Sequence, residues 1–134
     1  MLFTIDDPDD PRVAEYRNIP DPELLRTHGV FVAEGRQVVR QLLTSGRFET
    51  RSVLVSPAAF ESLRDLLDAR PALPVFVMPV DGMAALVGFD VHRGCLALGV
   101  RPPAMPCDTW WREAACSSLV VAAERIGNAD NLGA

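Results

Sequence analysis

Two hydrophobic periods alternate along this chain. Residues 30–33, 51–55, 74–78 and 94–100 are short, mainly apolar runs bounded by Gly, Pro or Ser, the pattern of strands buried on both faces. Between them the spacing changes to that of a helix. Residues 35–44 carry Val38, Val39, Leu42 and Leu43 on one helical face, and Ser45-Gly46 stops them. Ser56-Pro57 opens a second helix, a favoured cap followed by a favoured first residue, with Phe60, Leu63, Leu66 and Leu67 on one side. Residues 81–87 predict a third, shorter helix. Upstream, Asp10 and Pro11 predict a helix start, with Val13, Ala14, Tyr16 and Arg17 behind them and Asn18-Ile19-Pro20 as the end. Asp21 and Pro22 repeat that signal, with Gly29 as the stop. Residues 1–10 read as an acidic lead-in.

Strands alternating with helices predict an α/β fold, a largely parallel sheet with helices on both faces. The stretch Arg101-Pro102-Pro103-Ala104-Met105-Pro106 interrupts it. Its prolines lack backbone donors and exclude helix and internal strand alike, so a linker is predicted. Beyond it, residues 108–116, with Trp110 and Trp111, suit a short helix, and the apolar run 119–123 a further strand. The predicted division is a helical lead-in at 1–29, a first domain at 30–101, a linker at 102–118, and the beginning of a second domain at 119–134.

Composition narrows the classes. A chain of 134 residues, 49% of them hydrophobic, can bury one sizeable core. No apolar run approaches the ~18 residues of a membrane span, and the N-terminus turns acidic without a basic region, against a signal peptide. Cys95, Cys107 and Cys116 lack CxxC spacing and support neither a disulfide framework nor a zinc site. A cytoplasmic protein is expected. The net charge of −5 counts against a general nucleic-acid binder. The acids are unevenly placed, however: Asp6, Asp7, Asp9, Asp10, Glu15, Asp21 and Glu23 lie in the first 23 positions, and the remainder is neutral. Every basic residue is Arg, which suits bidentate phosphate contact and equally reflects compositional bias.

Three stretches and one set of arginines are candidates for function. In Phe31-Val32-Ala33-Glu34-Gly35-Arg36-Gln37-Val38-Val39 a strand delivers Glu34 and Gly35 to the mouth of a helix. A tight turn needs Gly there, and an acid suits the helix start, so structure alone accounts for the string. Arg36, Arg40, Arg47 and Arg51 form the densest positive segment, either a phosphate-contacting patch or an ordinary solvated face. His92-Arg93-Gly94 precedes the last strand of the first domain, and His92 has no metal-ligating companions at suitable spacing. The third stretch is Glu124-Arg125-Ile126-Gly127-Asn128-Ala129-Asp130-Asn131-Leu132-Gly133-Ala134, a loop rich in Gly and Asn after an apolar strand. No P-loop, dinucleotide fingerprint or nucleophile triad is legible.

These stretches, in this order, resemble the SpoU/TrmH family of RNA ribose 2′-O-methyltransferases. Glu34-Gly35 and His92-x-Gly94 resemble signatures of the substrate-binding domain found ahead of the catalytic domain. Glu124, Asn128, Asn131, Gly133 and Ala134 resemble the first catalytic motif, with Ala129 and Asp130 in place of the usual Pro and Gly. The resemblance implies a first domain like small ribosomal RNA-binding proteins, a three-layer α/β/α sandwich, followed by a linker and the first strand of a knotted SPOUT domain. It implies Glu34, Gly35, Arg36, Arg40, Arg47, Arg51, His92 and Arg93 as RNA-facing residues, and Asn131 as the catalytic-motif residue. Structured rRNA or tRNA is the implied partner. The implied whole protein is a homodimer using S-adenosylmethionine, with no cofactor expected in this chain, no membrane partner, and no activity from this chain alone. Two other readings remain open: a non-catalytic RNA or ribonucleoprotein-binding module, and an acidic protein-interaction domain.

Overall fold

The computed structural model describes residues 1–17, 19, 26–91, 93–104 and 106–113, the side chains of 110 and 113 excepted. The chain divides into two units, Met1–Pro102 and Pro103–Ala134. In the second unit the described element is the helix Cys107–Glu113, whose Arg112 Nε donates to the Asp108 carbonyl at 3.1 Å. The predicted strand at 119–123 and the loop carrying Asn131 lie outside the described residues.

The first unit is a mixed α/β body built on one five-stranded sheet. Its strands are β1 (Leu2–Thr4), β2 (Val30–Glu34), β3 (Thr50–Val55), β4 (Val75–Val77) and β5 (Cys95–Val100), ordered β1-β4-β3-β5-β2. Helices α1 (Arg36–Ser45), α2 (Pro57–Asp68) and α3 (Val80–Val87) connect them, and a 3-10 helix, Pro11–Tyr16, follows β1. Period-2 alternation sorts each strand onto two faces. Val53, Val55, Val75, Cys95 and Ala97 pack with Val39, Leu42 and Leu43 of α1 and Phe60, Leu63 and Leu67 of α2. Leu54, Phe76, Leu96 and Leu98 pack with Val13 and Tyr16 of the 3-10 helix and Met83, Leu86 and Val87 of α3. Tyr16 is fully buried, and its hydroxyl shares a 2.8 Å hydrogen bond with Ser52 Oγ, so this polar pair is satisfied within the apolar layer.

The largely parallel sheet expected from the sequence is corrected here. β4 runs parallel to β1 and β3, but β5 runs antiparallel to both β3 and β2. The reason lies in the connection from α3. Gly94, just ahead of β5, stands beside Ser56 and Val80, at the end of the sheet where α2 and α3 begin. The chain therefore re-enters the sheet from the end at which β4 left it. The lead-in is also corrected at its start: Leu2–Thr4 is the edge strand beside β4, too short to show a period. The helix expected after Asp10 is present in 3-10 form, with Asp10 Oδ1 accepting from the Arg12 backbone N–H at 2.8 Å. Among the described residues no helix is long and apolar enough to cross a membrane.

Candidate nucleic-acid interface

Helices α1, α2 and α3 all begin at one end of the sheet, where β2, β3 and β4 finish and β5 starts. The crowding of their connections sets the residue types there. Gly35, at φ +86, turns β2 into α1, and its N–H donates to the Cys95 carbonyl at 2.8 Å. Only glycine tolerates that backbone without strain. Gly94, at φ +53, is buried against Ser56, and a Cβ there would stand 2.6 Å from Ser56 Oγ and 2.8 Å from Ser56 Cβ. Ser56 in turn caps α2, its hydroxyl accepting from the Ala59 N–H at 3.2 Å, while its own N–H donates to the Gly94 carbonyl at 2.7 Å. Two glycines thus hold two strand ends and two helix starts in register.

This frame brings together four of the RNA-facing residues expected from the sequence. Glu34 ends β2 and is exposed. Gly35 lies beneath Arg93, whose Cδ would be 3.7 Å from a Cβ on Gly35. Arg36, Gln37 and Arg93 line an open cleft of about 340 Å³ beside that turn. Gln37 was not singled out by its sequence context, although it sits inside the Glu-Gly-Arg-Gln string. Behind the cleft the buried Cys95 thiol is pushed up to about 12 by burial, with the Arg36 charge acting weakly against the shift.

The other expected contacts are placed elsewhere. Arg40 faces α2: its Nη1 donates to Asp65 Oδ2 at 3.2 Å and its Nη2 to the Ser62 carbonyl at 2.7 Å, which holds the Asp65 carboxyl below its usual range. Arg47 follows α1 at its far end, and its guanidinium lies over the Phe48 ring at 5.5 Å. Arg51 lies in the irregular stretch between Thr50 and Ser52 of β3 and donates to Glu15 Oε1 at 2.8 Å and the His28 carbonyl at 3.4 Å. The 10 residues of α1 separate Arg36 from Arg47 by about 15 Å. The densest positive segment of the sequence is therefore not one surface patch. His92 and Asn131 lie outside the described residues, and among those described no cluster of His, Cys, Asp and Glu is arranged to hold a metal.

The chain is similar to known proteins in sequence and in fold. No family model matches the chain. It is 30% identical over 131 residues to proteins named uncharacterized tRNA/rRNA methyltransferase from Mycobacterium bovis and Mycobacterium tuberculosis. That match takes in 95% of this chain and 44% of those proteins, so the chain spans less than half of their length. Among solved structures it is similar to an rRNA methyltransferase from Sinorhizobium meliloti, with a TM-score of 0.59, 13% identity, and coverage of 77% of this chain and 38% of that one. It is also similar to an RNA 2′-O ribose methyltransferase, with a TM-score of 0.56, 18% identity, and coverage of 77% and 39%. At those identities the likeness is one of fold. The class is thereby set: the chain is related to RNA methyltransferases. The resemblance to the SpoU/TrmH family drawn from its motifs agrees with relatives named tRNA/rRNA methyltransferase and with a fold neighbour named RNA 2′-O ribose methyltransferase.

Proposed function

We propose that this chain recognises substrate RNA for an RNA 2′-O-ribose methyltransferase of the SpoU kind. The observation that carries the reading is the cleft at the shared end of the sheet. There Arg36, Gln37 and Arg93 stand around the Gly35 turn, in a chain whose relatives are named tRNA/rRNA methyltransferases. The chemistry asks for such a module. A ribose hydroxyl is a weak nucleophile, and its methylation depends on close placement and proton removal. Two guanidiniums beside a rigid glycine turn can grip phosphates, and the Gln37 amide can pair with a base edge. In this reading the first unit is a three-layer α/β/α sandwich, the protein is cytoplasmic, and its whole form is a homodimer. S-adenosylmethionine supplies the methyl group, and none of the described residues is assigned to hold it. The AdoMet-bound form of the Sinorhizobium meliloti rRNA methyltransferase, alike in fold, supports that choice of donor.

The test is direct. The chain is titrated with bulk tRNA and with ribosomal RNA fragments across a salt series. Arg36→Glu combined with Arg93→Glu is expected to weaken binding and to flatten the plot of log K against log salt by about 0.7–0.9 per lost phosphate contact. A double variant with unchanged affinity and slope would overturn the assignment of this end of the sheet.

A further inference from the structure

A second surface of the first unit has the chemistry of a stacking site. Alongside α1, next to the outer edge of β2, runs a groove of about 270 Å³ lined by Phe31, Val38, Gln41, Ser45, Arg47 and Phe48 among others. Its construction follows from one glycine. Gly99 pairs with Phe31 across the β2–β5 ladder, and a Cβ at Gly99 would fall 2.3 Å from Cζ of the Phe31 ring, so the tip of the ring occupies the space that any side chain there would take. Phe48 meets it edge-on at 5.2 Å between centroids. Arg47 lies over Phe48, and Val38 is 53% exposed although it is a β-branched apolar residue on the first turn of α1. The lining carries one cation and no carboxylate.

We propose that this groove takes one unpaired nucleotide of the bound RNA, its base against the Phe48 and Val38 wall and its phosphate on Arg47. Resting on the RNA reading above, this proposal adds a second contact point at the far end of α1. The composition of the groove argues for that occupant. An apolar peptide would leave the Arg47 charge unanswered, whereas a nucleotide meets the aromatic wall with its base and the guanidinium with its phosphate. The Gln41 amide and Ser45 hydroxyl supply hydrogen-bonding groups at the rim for a base edge. The volume suits a single nucleotide, which selects an unstacked residue over a helix.

The probes are a fluorescein-labelled decauridine and a ten-base-pair RNA duplex, titrated into the full chain by anisotropy. The chain is expected to prefer decauridine. Phe48→Leu removes the aromatic wall without changing charge, and is expected to weaken decauridine binding about tenfold with the salt slope unchanged. Val38→Asp, at an exposed position that leaves the core intact, is expected to weaken it at least as much. Arg47→Gln is expected to lower the salt slope by about 0.7. Variants with intact melting curves that bind decauridine within about twofold of the parent overturn the proposal. If they also remain sensitive to Arg36→Glu with Arg93→Glu, the RNA reading survives and only the groove falls. A chain that binds neither probe overturns both. Self-association abolished by Val38→Asp, with RNA binding untouched, reassigns the groove to contact between copies of the chain and overturns the proposal.

Discussion

Single residues carry the strongest constraints where polarity or positive φ meets burial. Gly35, Gly94 and Gly99 each hold a place that a side chain would fill or strain, and two of the three stand in stretches that the sequence already marked. Tyr16 and Ser52 were not legible in that way. A lone Tyr after an acidic lead-in gives no sign that it meets a Ser 36 residues later in the interior. Removing the hydroxyl strands Ser52 Oγ, so Tyr16→Phe is expected to cost about 1–3 kcal/mol in urea unfolding. The same pair sets an alkaline limit. Burial raises the Tyr16 phenol above its ordinary pKa, and the Ser52 hydrogen bond only partly offsets that. The folded state therefore favours the neutral phenol. Its contribution is fully present below about pH 10, and is lost as pH rises further, because the unfolded chain ionises first. Cys95 has the same sign, its loss running from pH 9 toward about 12. Melting temperature is expected to fall from pH 9 upward, and in Tyr16→Phe the fall above pH 10 is expected to be shallower. An identical decline in both proteins would show that the phenol does not govern it.

At the scale of elements, four strands and three helices were legible because each announces itself locally. Ser56-Pro57 caps α2 as expected, and Ser45-Gly46 ends α1 with Gly46 in the left-handed region. What was not legible is what needs distance. Hydrophobic period carries no chain direction, so the reversal of β5 was hidden, and three residues at an edge were too few to reveal β1. The arginines were open for a related reason. Closeness along the sequence fitted a phosphate-contacting patch and an ordinary solvated face alike, and in the fold Arg40 and Arg51 find carboxylates on α2 and on the 3-10 helix. Arg70 shows the structural use of such a residue: Nη1 donates to the Leu66 carbonyl at 2.8 Å and Nη2 to the Leu43 carbonyl, tying the last turns of α2 and α1 together. Arg70→Met keeps the apolar stem and frees both carbonyls. It is expected to lower stability by about 1–2 kcal/mol without altering RNA affinity. Loss of RNA binding in a variant of normal stability would mean that Arg70 contacts the ligand instead.

For the whole molecule the difficulty is charge, since the proposed RNA recognition falls to a chain with a net charge of −5 and, Glu34 apart, is helped by acids that lie away from the cleft. For Asp6 and Asp7 the sheet order provides that distance. The early acids Asp6 and Asp7 follow β1 at one edge of the sheet, while β2, α1 and the Gly35 turn occupy the other edge. Four interstrand steps of about 4.8 Å put roughly 19 Å between those edges, more than twice the Debye length of about 8 Å at physiological salt. Asp9 and Asp10 are further muted by Arg17 and Arg12. The Arg12 guanidinium holds the Asp10 carboxyl near a pKa of about 2, so Asp10 stays ionised and paired in neutral solution. Replacing Asp6, Asp7 and Asp9 by Asn moves the net charge from −5 to −2. At 0.15 M salt that triple variant is expected to bind tRNA within about twofold of the parent, because the lost charges are screened from the binding edge. Near 0.01 M salt, where screening extends to about 30 Å, the same variant is expected to bind more tightly and associate faster. A large gain at 0.15 M would place the acids close to the RNA. The interface would then have to move from the β2 and α1 edge to the face covered by the 3-10 helix.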